Sequence, residues 1–410
     1  MMNKQGKRKL HWKSLMLLCL AIFILPAGSA FAAVNKPFPQ HTTYTSGTIK
    51  PNNVTQTVMD NAVKTKWDAW KGAYLKPAGT GKYYVKYNSA GETVSEAHGY
   101  GMLFTVLMAG YDSNAQTYYN GLYNYYTAHP SAINPYLMSW KQNSSFQNIE
   151  GEDSATDGDM DIAFSLLLAH KQWGSSGTVN YLQAATNMIN AIMDNEINQT
   201  QWTIRLGDWA NSGSYNTATR PSDFMLNHLK AFQAATGDAR WQNVTNKTYT
   251  LINSLYTGYS STTGLLPDFV VYSSNTYKPA AANFLEDAND GNYNYNSCRT
   301  PWRITTDYLL TGDNRALSQL NQLNSWIKTK ASNTPGNIKD GYKLNGTTFG
   351  SYNSGAFYAP FGVSAMISSA NQSWLNSLWS HTANSAAEDY YEDSIKLFSM
   401  IVMSGNWWGY

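Results

Sequence analysis

Charge is scarce in this chain. Asp, Glu, Lys and Arg make up 14% of its 410 residues, and 29 bases against 27 acids leave a net of +2. Lys4, Lys7, Arg8, Lys9 and Lys13 fall in the first 32 residues, which hold no acid; beyond them 24 bases face 27 acids, a net of −3. A basic surface for nucleic acid is therefore not expected. Cysteine is nearly absent. Of the two, Cys19 belongs to the same N-terminal stretch, so Cys298 stands alone after it and a disulfide within the rest of the chain is excluded. A domain of about 378 residues buries enough core to need none. Long apolar runs are missing too. Leu15 to Leu25, at about 11 residues, is short of the roughly 20 that span a bilayer. Preceded by the five bases and followed by Ala30-Phe-Ala32, it reads as a secretory signal cleaved after about Ala32. The expected product is an exported monomer, residues 33–410, with no membrane span. Whole chemistries are missing as well. There is no His-Glu-x-x-His or clustered His/Cys set, so no metal and no cofactor is expected, and there is no Gly-x-Ser-x-Gly nucleophile turn.

What the chain does have is aromatic surface and helical periodicity. Its 29 Tyr and 14 Trp exceed what a core requires, and such rings stack on flat apolar faces such as those of sugars. After a polar arm to Asn53, Met59, Val63, Trp67, Trp70 and Tyr74 recur at helical steps. Amphipathic segments at 116–128, 178–197, 238–257, 314–331 and 372–383 then alternate with segments apolar nearly all round at 97–111, 157–173, 221–236, 299–311, 355–368 and 390–404. A helix apolar on every face must be buried. Six hairpins with one buried helix each are satisfied by two concentric rings, an all-α (α/α)6 barrel. Val270 and Val271 mark a short strand pair near Leu265–Tyr272. Connections from buried to amphipathic segments are short, and the reverse ones are mostly long, which puts the cleft at the end where each buried helix begins.

One stretch organises that rim. Ala155-Thr-Asp-Gly-Asp-Met-Asp161 carries Asp157, Asp159 and Asp161 at alternate positions and runs straight into an apolar helix. Acids suit a helix N-terminus, and capping accounts for any one of the three. A calcium loop does not fit, because Ile162 stands where the turn needs Gly and Leu168 where the bidentate Glu belongs. Glu96 precedes the second helix, Asp223 begins the sixth and Arg299 the eighth. The long loops add Trp140, Asp208-Trp209, Glu286-Asp287 and Tyr352. Carboxylates converging on an aromatic groove point to acid/base cleavage of a polysaccharide, with Trp140, Trp209, Asp223 and Arg299 as substrate contacts. His98, close to Glu96, is read as a structural hydrogen-bonding residue.

These segments resemble a known family. The run from Ala155 to Trp173 resembles the diagnostic segment of glycoside hydrolase family 8, Ser95-Glu-Ala-His-Gly-Tyr-Gly-Met102 its general-acid segment, and Asn296-Ser-Cys-Arg-Thr-Pro-Trp-Arg303 its third block. The resemblance implies an (α/α)6 fold and hydrolysis of β-linked glucan, chitosan or xylan with inversion. It implies Glu96 as general acid and Asp157 as the carboxylate that binds the sugar at the cleavage point. Asn296 departs from the pattern, since many members carry an Asp base there. The branch that shares this Asn implies Glu286 as base, with Asp287 and Asp290 as neighbouring rivals. A near-neutral chain favours a neutral mixed-linkage β-1,3-1,4-glucan, with activity extending to β-1,4-glucan. A chitosanase, whose substrate is polycationic, is the alternative. A catalytically inert glycan-binding domain or a polysaccharide lyase is the more distant one.

Overall fold

The computed structural model describes residues 34–410; the leader expected at 1–32 lies outside them. Twelve α-helices occur among the described residues, and they come in pairs. In chain order they are α1 (Gln56–Tyr74) and α2 (Ser95–Leu107), α3 (Ala115–Tyr126) and α4 (Thr156–Trp173), α5 (Tyr181–Asn195) and α6 (Leu226–Thr236), α7 (Arg240–Tyr259) and α8 (Thr300–Thr311), α9 (Leu317–Lys330) and α10 (Gly355–Ala365), and α11 (Gln372–Asn384) and α12 (Tyr390–Met403).

The second helix of each pair is the buried one. Nearly every side chain of α2, α4, α10 and α12 is shielded, whereas α1 buries Met59, Val63, Trp67 and Trp70 and leaves its other face to solvent. Each even-numbered helix packs on the next, α2 on α4, α4 on α6, α6 on α8, α8 on α10 and α10 on α12. Phe104 of α2 stacks on Phe398 of α12 with centroids 4.0 Å apart, which brings the last helix back to the first.

One end of this array is sealed by the arm at 34–54 and the segment after α12. The arm at 34–54 hydrogen-bonds its backbone to Ala109, Leu309, Met366 and Gly405, just past or at the C-terminal ends of α2, α8, α10 and α12. Trp407 inserts between Phe164, Trp302 and Phe398. The other end, where the even-numbered helices begin, carries the long loops 75–94, 127–155, 196–225, 260–299 and 331–354.

These loops hold more strand than the sequence announces. The hairpin of Val270–Ser273 with Thr276–Pro279 follows from its β-branched residues. It turns through Ser274 and Asn275, both at positive φ. Three shorter antiparallel ladders do not: Leu75–Pro77 with Tyr83–Val85, Thr93–Val94 with Lys141–Gln142, and Ile197–Asn198 with Thr203–Ile204. At two or three residues each, they are stabilised by the loops they join rather than by local propensity. No helix among the described residues is long and apolar enough to cross a membrane.

Candidate active site

Two glycines bring the first two acids together. A Cβ on Gly99 of α2 would lie 2.6 Å from Cβ of Asp161, and one on Gly158 of α4 would lie 2.6 Å from the backbone carbon of Ser95. Only glycine allows the two helix starts to approach this closely. Glu96 and Asp157 thereby open onto one cleft of about 270 Å³, lined also by Tyr87, Trp140, Arg220, Glu286, Asn296, Arg299, Tyr390 and Tyr391.

Arg299 is the hub of this cleft. Only 2% exposed, its Nη1 donates to Glu96 Oε2 at 2.6 Å, to Asp157 Oδ2 at 3.1 Å and to Tyr100 Oη at 3.3 Å. Its Nη2 donates to Ser222 Oγ at 3.1 Å and to Asn296 Oδ1 at 3.0 Å. The amide of Asn296 then donates from Nδ2 to Glu286 Oε2 at 2.8 Å. Arg220 pairs with Asp157 Oδ1 at 2.9 Å and with Asp223 at 3.1 Å. A guanidinium and an amide thus bridge the two glutamates.

The two acids on Arg299 are driven apart in acidity. Burial raises Glu96, and Asp157 adds to this; Arg299 opposes both without cancelling them, so the Glu96 carboxyl is pushed up to about 7. Tyr390 Oη also reaches Glu96, 3.4 Å from Oε1. Burial would raise Asp157 as well, but Arg220 and Arg299 outweigh it, helped by the Gly158 N–H, and hold Asp157 down at about 2. One carboxyl therefore keeps its proton to near neutrality while its neighbour stays charged.

The remaining expected residues fall in distinct places. Asp223 is fully buried behind Arg220, and burial pushes it up to about 6. Trp140 is half-buried on the cleft wall, its indole N–H donating to the Glu150 carbonyl at 2.9 Å. Trp209 does not line this cleft; its ring packs on Tyr215 at 5.2 Å in a small loop cluster with Leu206 and Phe269. Asp290 is 1% exposed and accepts from three backbone N–H groups, which leaves it no open face. Asp287 is exposed and does not line the cleft. Tyr352, 72% exposed, extends the groove beyond Tyr295.

Ala155 holds the cap position of α4, and no aspartate side chain caps that helix. His98 is not hydrogen-bonded as expected. It stacks on Tyr125 at 4.6 Å, among the described residues no hydrogen bond reaches its ring nitrogens, and burial holds it down at about 3. An aromatic pocket selects its flat face rather than its polar edge. Among the described residues no group of three or more His, Cys, Asp or Glu could hold a metal.

Sequence reasoning passed over Arg220, Tyr390 and Asp268, the last of which accepts the backbone N–H groups of Asn296 and Ser297. Arg220 had a signal, lying on a rim loop in Arg-Pro-Ser-Asp223 directly before a buried helix. The other two act through contacts that no local pattern marks.

Comparison with known proteins places the chain among glucanases in sequence and fold. The chain is 75% identical over 398 residues to a beta-glucanase of Niallia circulans, covering 97% of each. It is 44% identical to an endoglucanase of a Bacillus species, strain KSM-330, over 93% of this chain and 83% of that one. It superimposes with a TM-score of 0.92 on the apo structure of a beta-1,3-1,4-glucanase from Paenibacillus sp. X4, 78% identical, over 92% of this chain and 100% of that one. Rex8A of Paenibacillus barcinonensis shares the fold at a TM-score of 0.74 and 16% identity, over 89% and 98% of the two chains. The model of glycosyl hydrolases family 8 matches residues 36–405. The chain belongs to glycosyl hydrolase family 8.

Proposed function

We propose that the protein is an exported, inverting endo-β-glucanase that cleaves mixed-linkage β-1,3-1,4-glucan, with activity extending to β-1,4-glucan. It acts as a monomer on a single (α/α)6 barrel after loss of residues 1–32. One observation carries the mechanism: on a single guanidinium, Glu96 is held protonated to about pH 7 and Asp157 is held ionised. Glu96 gives its proton to the leaving glycosidic oxygen. Asp157 stabilises the positive charge that develops on the ring. Glu286 takes a proton from the water that attacks the opposite face, and a new bond forms from that water to the anomeric carbon. Inverting pairs stand about 6.5–9.5 Å apart to admit this water. The bridge through Arg299 and Asn296 supports such a separation. Trp140 supplies a stacking face, Arg220 and Arg299 hold the anion, and Asp223 acts through Arg220.

The names of the relatives support the polymer, and the alternating helices with the Phe104–Phe398 closure support the barrel. A second reading has one observation in its favour. Asp389 and Glu392 face the groove between Glu286 and Tyr352, where a polycationic glucosamine chain would find acids. Parallel hydrolysis of cereal mixed-linkage β-glucan, carboxymethylcellulose and chitosan, with the product anomer followed by proton NMR, tests both. Fastest turnover of the mixed-linkage polymer with an α-anomer released is expected. Preference for chitosan would transfer the assignment to the second reading, and a β-anomer would overturn the mechanism.

A further inference from the structure

We propose that Asn296 is a positioning residue that orients the Glu286 carboxylate, an inference that rests on the reading of Glu286 as base. Glu286 lies on an exposed loop outside any helix or strand, where a long side chain is free to sample several rotamers. Two buried groups remove that freedom. Asp290 accepts the backbone N–H groups of Leu285 at 2.7 Å, Glu286 at 3.1 Å and Asp287 at 3.0 Å, so one carboxylate holds the main chain beneath the side chain. Asn296 holds the carboxylate itself, through Nδ2 on Oε2 at 2.8 Å.

The direction of that amide is determined by its other end. A guanidinium only donates, so the oxygen of Asn296 must face Arg299 and its NH2 must face Glu286. The main chain under Asn296 is pinned in turn. Asp268, 3% exposed, accepts from the N–H groups of Asn294 at 3.0 Å, Asn296 at 3.2 Å and Ser297 at 2.7 Å. With Oε2 engaged, Oε1 is left to receive a proton from water. The chain from Arg299 through Asn296 to Glu286 thus ties the base to the same guanidinium that carries Glu96 and Asp157.

A double-mutant cycle on an aryl β-oligoglucoside tests this. Glu286→Ala alone should lower kcat about 1000-fold and, with azide, yield an α-glycosyl azide. Asn296→Ala alone should lower kcat roughly 30-fold with KM changed less than about three-fold, and in the Glu286→Ala background it should cost less than about two-fold. A full 30-fold loss repeated in that background would overturn the inference while leaving the base role intact, because Asn296 would then act through Arg299. Asn296→Ala at wild-type kcat would overturn it outright. Near-full activity of Glu286→Ala would remove the base reading and this inference together. If Asn296→Ala lowers Tm by more than about 5 °C, Asn296→Ser, polar but too short to reach Glu286, replaces it in the same cycle.

Discussion

Asp157 and Asp159 stand two residues apart at the start of one buried helix and live in opposite electrostatic worlds. Two positions along a helix are a rotation of about 200°, so the side chains leave on opposite sides. Asp157 meets two guanidinium groups and stays ionised. Asp159 meets acids. Burial raises it well above the usual carboxylate range, and Asp208 adds to this. Glu196 is raised in the same way, by burial and by Asp159. No cation pairs with Asp159, Glu196 or Asp208 among the described residues.

The second cluster is a fastening. Asp159 accepts the Met138 N–H at 3.0 Å, Glu196 accepts the Ser154 hydroxyl at 2.6 Å, and Asp208 accepts from Ser131 Oγ at 2.5 Å and the Ser154 N–H at 2.9 Å. These bonds tie the loops that carry Trp140 and Arg220 to the start of α4. Asp161, two residues further on, is held low by Arg303 and His228 against the effect of burial. Asp157, met by two guanidinium groups, and Asp161, met by Arg303 and His228, keep their charge, whereas Asp159 and Glu196, met by no cation among the described residues, keep their protons.

The largest test of this contrast is catalytic. Asp157→Asn should lower kcat on β-glucan about 1000-fold, as removal of transition-state stabilisation does, while Asp159→Asn, replacing a neutral acid by a neutral amide, should stay within about three-fold. Equal losses would erase the distinction between a working anion and a fastening. A smaller effect lies in the pH profile. As the proposed acid, Glu96 must carry its proton to act, so kcat/KM should fall as pH rises through about 7. Asp157→Asn removes a charge that favours the proton on Glu96, so the alkaline limb of its residual activity should move toward acid. A limb that stayed in place would mean that Asp157 does not act on Glu96.

The smallest expected effect is on stability. Asp159 and Glu196 have folded-state pKa values raised above their unfolded values of 3.8 and 4.5. The folded state therefore holds extra protons, so their contribution is fully present below about pH 4 and is lost as pH rises through the folded values. Each such proton contributes a slope of about −1.4 kcal/mol per pH unit in that window. Asp159→Asn removes one titrating group, and denaturant unfolding from pH 4 upward should show a flatter decline than wild type. An unchanged slope would mean that the cluster is already ionised.

The start of the α4 motif shows how far the sequence could be read. Three alternating acids before an apolar run marked the spot, and the glycines at 99 and 158 stood in the segments that had to meet. The roles of the three acids were not legible there, because Arg220, Arg299, Arg303 and Glu196 reach them from 35 or more residues away. The same holds for the loop that carries Glu286. Glu286, Asp287 and Asp290 look alike in order and differ once Asp290 is turned inward onto three N–H groups and Glu286 is met by Asn296.

The sequence by itself determined which helices are buried, since a segment with no polar face has nowhere else to go, and which end carries the long loops. It also determined that Glu96, Asp157 and Asp223 stand at that end, because each sits at or just before the start of a buried helix. Only the tertiary structure decided which of them keeps a charge and which a proton. Ionisation depends on the balance between burial and the cations and acids within a few ångströms of each carboxylate, and that balance is set by helices and loops brought together from across the whole chain.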